Sequence, residues 1–97
     1  MKEIRFEWDY KKAQTNIIKH GVRFEEAATV FFDENAIIVT DPDHSYEECR
    51  FVMLGYSNQA RLLVICHCYK EEDRCIRIIS ARKATKNEMK HYAKGGN

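Results

Sequence analysis

The sequence predicts an α+β domain: a small antiparallel sheet packed against N-terminal helices and a C-terminal helix, in the order β-α-α-β-β-β-β-α. Three observations predict it. Apolar and charged residues alternate at the start, strand-like runs separated by short polar turns fill residues 36–81, and capping residues mark the first and last of three amphipathic stretches.

From Glu3 to Trp8, the residues Ile4, Phe6 and Trp8 alternate with charges, the pattern of a strand with one buried face. Asp9 is placed to cap a helix and Gly21 to end it, with Tyr10, Ala13, Ile17 and Ile18 as its apolar stripe. A second helix is predicted over Phe24 to Phe32, turning Phe24, Ala27, Ala28 and Phe31 inward and setting Glu25 and Glu26 near its positive end. Ala36 to Thr40 reads as a short strand, followed by the turn Asp41-Pro42-Asp43-His44. Strands over Arg50 to Tyr56, Arg61 to Tyr69 and Arg74 to Ala81 are joined by Ser57-Asn58-Gln59 and by the charged turn Lys70-Glu71-Glu72-Asp73. On strict alternation, Ile76 and Ile78 share a face with Ser80, and Arg77 points away. Thr85-Lys86-Asn87-Glu88 is a capping box, so the last helix starts there and buries Met89, Tyr92 and Ala93.

Ninety-seven residues with one proline and four glycines leave no linker, so residues 1–97 are expected to form one domain. A chain of this size buries only about 60–65% of its unfolded surface, which favours a surface site over a deep pocket. The opening Met1-Lys2-Glu3-Ile4-Arg5 has no apolar run behind its charges, and no stretch reaches the roughly 18 apolar residues of a membrane span. A soluble, cytoplasmic protein is expected. Cys49, Cys66, Cys68 and Cys75 then read as free thiols. In a strand, Cys66 and Cys68 face away from His67, which argues against a zinc site there.

The net charge of +1 conceals an uneven distribution. Residues 1–49 carry six Lys/Arg against eleven Asp/Glu, whereas residues 74–97 carry Arg74, Arg77, Arg82, Lys83, Lys86, Lys90 and Lys94 against Glu88 alone. A basic end on a neutral chain is the footprint of a phosphate-backbone ligand; a solvated helix face gives the same pattern.

The segments Phe6-Glu7-Trp8-Asp9, Lys19-His20-Gly21-Val22, Phe24-Glu25-Glu26-Ala27 and Ile78-Ile79-Ser80-Ala81-Arg82-Lys83-Ala84, in this order and spacing, resemble the BrnT toxin family from Phe6 to about Tyr92. The resemblance implies a RelE-like ribonuclease fold, RNA cleavage that arrests growth, and a BrnA-like antitoxin with a ribbon-helix-helix DNA-binding domain. The chain departs from the family at Tyr10, where proline is frequent, and at Arg23, where a hydroxyl cap is frequent. Each change weakens a helix start by roughly 1 kcal/mol.

Metal-independent RNA cleavage needs a base for the 2′-hydroxyl, an acid for the leaving 5′-oxygen and cations for the charge on the phosphorane. Arg77 and Arg82, beside Lys83, are the expected cations, since a guanidinium meets two phosphate oxygens at once. His20, in the last helical turn before Gly21, is either the acid, readied by the negative helix end, or a helix C-terminal histidine that only satisfies carbonyls. His67 either reaches the groove or packs as a hydrogen-bonded histidine. Tyr92 is either core or, as the resemblance implies, an aromatic near the scissile phosphate. Arg50, Arg61 and Lys86 extend the expected RNA-binding surface. Asp41, Asp43, His44 and Glu48 have metal-ligand chemistry, but Asp-Pro-Asp is first a turn, and neither metal nor cofactor is expected. The rival reading is a non-catalytic RNA- or protein-binding module using the same basic face.

Overall fold

The structure is a computed structural model that describes residues 4–40, 50–70, 72 and 74–96. Its elements are β1 (Arg5–Glu7), α1 (Tyr10–His20), α2 (Phe24–Thr29) continued by a 3₁₀ turn (Val30–Phe32), β2 (Ile37–Thr40), β3 (Phe51–Tyr56), β4 (Leu62–Lys70), β5 (Cys75–Lys83) and α3 (Lys86–Ala93). The predicted class and order hold. The Asp41-Pro42-Asp43-His44 turn, Glu48 and Cys49 lie outside the described residues.

The five strands form one sheet in the order β1-β5-β4-β3-β2. Strands β2 to β5 are the expected antiparallel meander, and β1 adds a parallel edge, pairing Arg5, Phe6 and Glu7 with Cys75, Ile76 and Arg77. One face carries Met53, Leu63, Ile65, Ile78 and Ala81, which form the main core with Ala13, Val22, Phe24, Ala27 and Val30 from the helical side. The other face carries Leu54, Leu62 and Val64 beneath Tyr92 of α3.

Strict alternation fails in β5. Cys66 pairs with Ser80 but His67 pairs with Ile78, so Ile79 is an extra, bulged residue. Beyond it every side chain changes face: Ala81 joins Ile78 in the main core, and Ser80 and Arg82 join Arg77 on the opposite side. Residues 77 and 82 differ in parity, and the bulge brings them to one surface.

β1 stops at Glu7, which leaves the upper edge of β5 without a strand neighbour. Asn16 of α1 fills that gap. Its amide accepts from Ala81 N at 3.0 Å and donates to Ala81 O at 2.8 Å and Val22 O at 2.9 Å. This buried amide replaces the missing strand partner, and it corrects the expected stripe of α1: Ala13 and Asn16 are buried, while Tyr10 and Ile18 are 74% and 85% exposed. Asn16→Ala is expected to lose about 3 kcal/mol, because it strands three buried backbone groups at about 1 kcal/mol or more each. Urea unfolding at neutral pH measures it; a midpoint equal to that of the parent would show that water replaces the amide without loss.

Asp9 caps α1 through Lys11 N and Lys12 N at 2.8 and 3.1 Å, and Gly21 ends it at φ 68°. Arg23 at the start of α2 makes no side-chain cap, as its chemistry dictates. Gly55 in β3 has no room for a side chain: a Cβ there would meet Ala36 Cβ at 2.9 Å and Val30 Cγ1 at 3.0 Å. Through this close approach the 3₁₀ turn and the segment after it seat against the sheet.

The predicted capping box of α3 is formed, with Thr85 N to Glu88 Oε1 at 2.8 Å and Glu88 N to Thr85 Oγ1 at 3.2 Å. Its expected buried edge is not: α3 has no buried residue, and Met89 is 50% exposed. Half-buried Tyr92, packed on Leu54, Leu62 and Val64, and polar anchors hold this helix instead.

Candidate functional site

The face shared by Arg77, Ser80 and Arg82 lies beside α3, and carboxylates orient its guanidinium groups. Arg82 meets Glu88 as a bidentate fork, Nη1 to Oε1 at 2.8 Å and Nη2 to Oε2 at 2.9 Å, and Nη1 also donates to Lys83 O at 3.3 Å. This fork, aided by the capping amide, holds the Glu88 carboxyl down at about 2. Arg77 donates to Glu7 Oε2 at 2.7 Å, and Lys70 stands 3.4 Å from the same oxygen. Lys86 is exposed at the start of α3, whereas Lys83, paired with core-facing Leu63, turns to the helical side of the sheet, where its charge acts on Glu26 rather than beside Arg82. Arg50 is half-buried immediately before β3.

Three expected site residues have other work. Arg61 grips buried Glu26: its Nε donates to Oε2 at 2.9 Å and its Nη2 donates to Oε1, while Ser57 Oγ donates to Oε2 at 2.6 Å. Arg61 Nη2 also reaches Gly21 O at 3.3 Å. The expected RNA contact gives way to a clamp between α2 and the β3–β4 turn, one that periodicity could not show because it required a buried glutamate. His67 is wholly buried. Its Nδ1 lies 3.2 Å from Ile65 O and its Nε2 3.2 Å from Tyr69 OH, and Phe31 packs edge-on at 4.7 Å. A carbonyl can only accept, which places the proton on Nδ1, and burial pushes the imidazole below its ordinary value. Neutral and enclosed, His67 is the packed histidine rather than an RNA contact. Tyr92 is half-buried against the second core, edge-on to Tyr56 at 5.2 Å. Its hydroxyl donates to Asp33 Oδ2 at 2.7 Å, and burial together with that carboxylate pushes it up to about 12. Tyr92 therefore keeps its proton and docks α3.

His20 is exposed at the end of α1. It lines a groove of about 290 Å³ with Lys11, Lys12, Thr15, Lys19, Ile79 and Ser80. The α1 lysines were missed because they sit in the net-acidic half of the chain; the i, i+4, i+8 spacing of Lys11, Thr15 and Lys19 was the available signal. His91, also missed, is exposed on α3 and lines a shallow recess with Val64 and Glu88. Among the described residues no three His, Cys, Asp or Glu side chains gather as a metal site, and Cys66 and Cys68 lie on the sheet face opposite His67. No helix among them is long and apolar enough to cross a membrane.

A family model for the ribonuclease toxin BrnT of type II toxin–antitoxin systems matches residues 8–88. The chain belongs to the BrnT family. The match begins at Trp8 and ends at Glu88, so it spans the bulged strand and the Arg82–Glu88 fork. The 1.1 Å crystal structure of the Brucella abortus ribonuclease toxin BrnT aligns with 89% of this chain and 100% of its own, at 25% identity and a TM-score of 0.62. No curated protein matches the chain. The two structures thus share a fold at one-quarter identity.

The Arg61–Glu26 clamp makes stability depend on acid. Arg61, against the cost of burial, lowers the Glu26 carboxyl below its ordinary value, so its ionised form favours the folded state. That stabilisation is complete above the unfolded value near 4.3 and is lost as pH falls through the lower folded value. Glu88, Glu7 and Asp9 are lowered as well and act in the same direction. Unfolding midpoints are therefore expected to hold from about pH 7 to 5 and then to fall steeply below about 4. Arg61→Ala is expected to cost about 2–3 kcal/mol at pH 7, since it leaves Glu26 buried and unmatched, and to flatten the acid limb. An unchanged acid limb in this variant would remove the clamp as its cause.

Proposed function

We propose that this chain is a toxin that cleaves RNA without metal, by attack of the ribose 2′-hydroxyl on the adjacent phosphorus, and that it acts in the cytoplasm under the control of a ribbon-helix-helix antitoxin. Membership of a ribonuclease-toxin family supports the reaction class. The observation that carries the site is the Ile79 bulge, which puts Arg77 and Arg82 on one face of the sheet with Ser80 between them.

In this reading the phosphodiester lies across that face. The O2′–P bond forms and the P–O5′ bond breaks, leaving a 2′,3′-cyclic phosphate and a free 5′-hydroxyl. Arg82 and Arg77 meet the charge on the non-bridging oxygens, and Lys86 holds the flanking backbone. Proton transfer falls to the exposed imidazoles, His20 as the acid for O5′ and His91 as the candidate for the 2′-hydroxyl proton, since buried His67 reaches no substrate. Glu88 keeps the Arg82 fork oriented until phosphate oxygens compete for it. The antitoxin neutralises by covering this cationic face.

The test is incubation of purified protein with total RNA in excess EDTA, with and without the antitoxin. Cleavage that survives EDTA and stops on antitoxin addition is expected. Intact RNA at every protein concentration, from a folded sample, would favour the non-catalytic binding module.

A further inference from the structure

We infer that the groove between α1 and the bulged edge of β5 is a second phosphate-binding subsite, one that holds single-stranded RNA backbone beyond the scissile bond; this rests on the ribonuclease reading. The groove is lined by Lys11, Lys12, Thr15, Lys19, His20 and Ser80 and encloses about 290 Å³.

Its cations differ from those of the arginine face. Arg77 and Arg82 each meet a glutamate within 4 Å, whereas among the described residues no carboxylate forms an ion pair with Lys11, Lys12 or Lys19. Asp9 feels the charge of Lys12, but its carboxylate is occupied by the amides of Lys11 and Lys12 as the cap of α1. Lys11, Thr15 and Lys19 fall at i, i+4 and i+8, so they form a row about 12 Å long on one side of the helix, at a rise of 1.5 Å per residue. Two ammonium groups flanking a hydroxyl along one helix, with no ion pair among the described residues, suit a chain of singly charged phosphates better than a single compact anion. The Thr15 and Ser80 hydroxyls add donors, and the Ile79 side chain supplies apolar surface for a ribose or base.

The groove also continues the proposed site. Ser80 lines it and shares its sheet face with Arg77 and Arg82, so a strand crossing the arginines passes Ser80 and reaches the lysine row without leaving the surface. Asn16 makes this possible: by sealing the edge of β5 with its own amide, it holds α1 at the distance that leaves a groove rather than a closed contact.

The test is the double variant Lys11→Gln/Lys19→Gln of the full chain, in which both changes are exposed and helix-compatible. A non-cleavable 2′-O-methyl single-stranded oligonucleotide serves as the binding probe across 0.05–0.3 M salt, and total RNA as the cleavage substrate. Each phosphate contact on a single strand contributes about 0.7 to the slope of log affinity against log salt, so the double variant is expected to lose about 1.4 from the slope and to bind roughly 25-fold more weakly at 0.1 M salt. KM should rise accordingly with little change in kcat. A folded variant with the parent's affinity and slope would overturn the subsite while leaving the ribonuclease reading intact. Unchanged RNA binding with weakened antitoxin binding would overturn it too and mark the groove as a protein contact. If the parent neither binds nor cuts RNA, both readings fall together.

Discussion

Arg82→Ala is expected to lower RNA cleavage by 100- to 1,000-fold while the chain stays folded. Loss of one positioned donor to a developing oxyanion costs about that much in other active sites, and arginine at phosphoryl centres costs as much or more. Arg82 has the geometry for this role because two things place it. The bulge at Ile79 turns it to the face of Arg77, and the Glu88 fork holds both terminal nitrogens of its guanidinium in one plane. The same substitution releases Glu88 from about 2 toward an ordinary carboxylate value, and this gives an independent readout of the fork. The structural cost is small: with Arg82 and Glu88 side chains 42% and 30% exposed, the pair contributes about 1 kcal/mol or less. Arg82→Lys keeps the charge but cannot meet two oxygens at once, and it is expected to recover only part of the rate. Cleavage by Arg82→Ala at the parent's rate, with matching circular dichroism, would take this residue out of the reaction.

The fold was largely legible in the sequence because its signals are local. Asp9, Gly21 and the Thr85–Glu88 box work within one helical turn, and each is found in its expected place. What escaped depends on partners distant in the chain. Asn16 is an ordinary polar helix residue until Ala81, sixty-five positions away, needs its amide. Glu26 reads as a charge at a helix start, yet Arg61 and Ser57 bury it. Alternation assigned Ser80 to the face of Ile78 because a bulge leaves no mark in an isoleucine pair; only the pairing with Cys66 and His67 shows it. The same limit applied to the site. Arg77 and Arg82 were chosen for their chemistry, and strict parity would have set them on opposite faces. Arg61 and His67 were chosen likewise, but burial and partners commit them to the fold.

A substrate with a single 2′-deoxy sugar at the cleavage position is expected to be inert, whereas the matched all-ribose oligonucleotide is cut in excess EDTA. This follows from the choice of nucleophile. If the 2′-oxygen attacks, removing it leaves no route to the cyclic phosphate, and the loss is complete rather than graded. An activated water would cut both substrates and leave a linear phosphate. The exposed imidazoles bear on the same distinction, for a metal-free transesterification needs one group to accept a proton and another to give one. The rate across about pH 5 to 9 is therefore expected to be bell-shaped, and His20→Ala and His91→Ala are each expected to lower cleavage without unfolding the chain. His67→Ala would instead lower stability, since it empties a space walled by Phe31, Phe51 and Tyr69, and would leave the shape of the profile unchanged. Equal cutting of the deoxy substrate would exclude the 2′-hydroxyl as nucleophile and transfer the attack to water, and activity lost in EDTA and restored by magnesium would exclude the metal-free reaction.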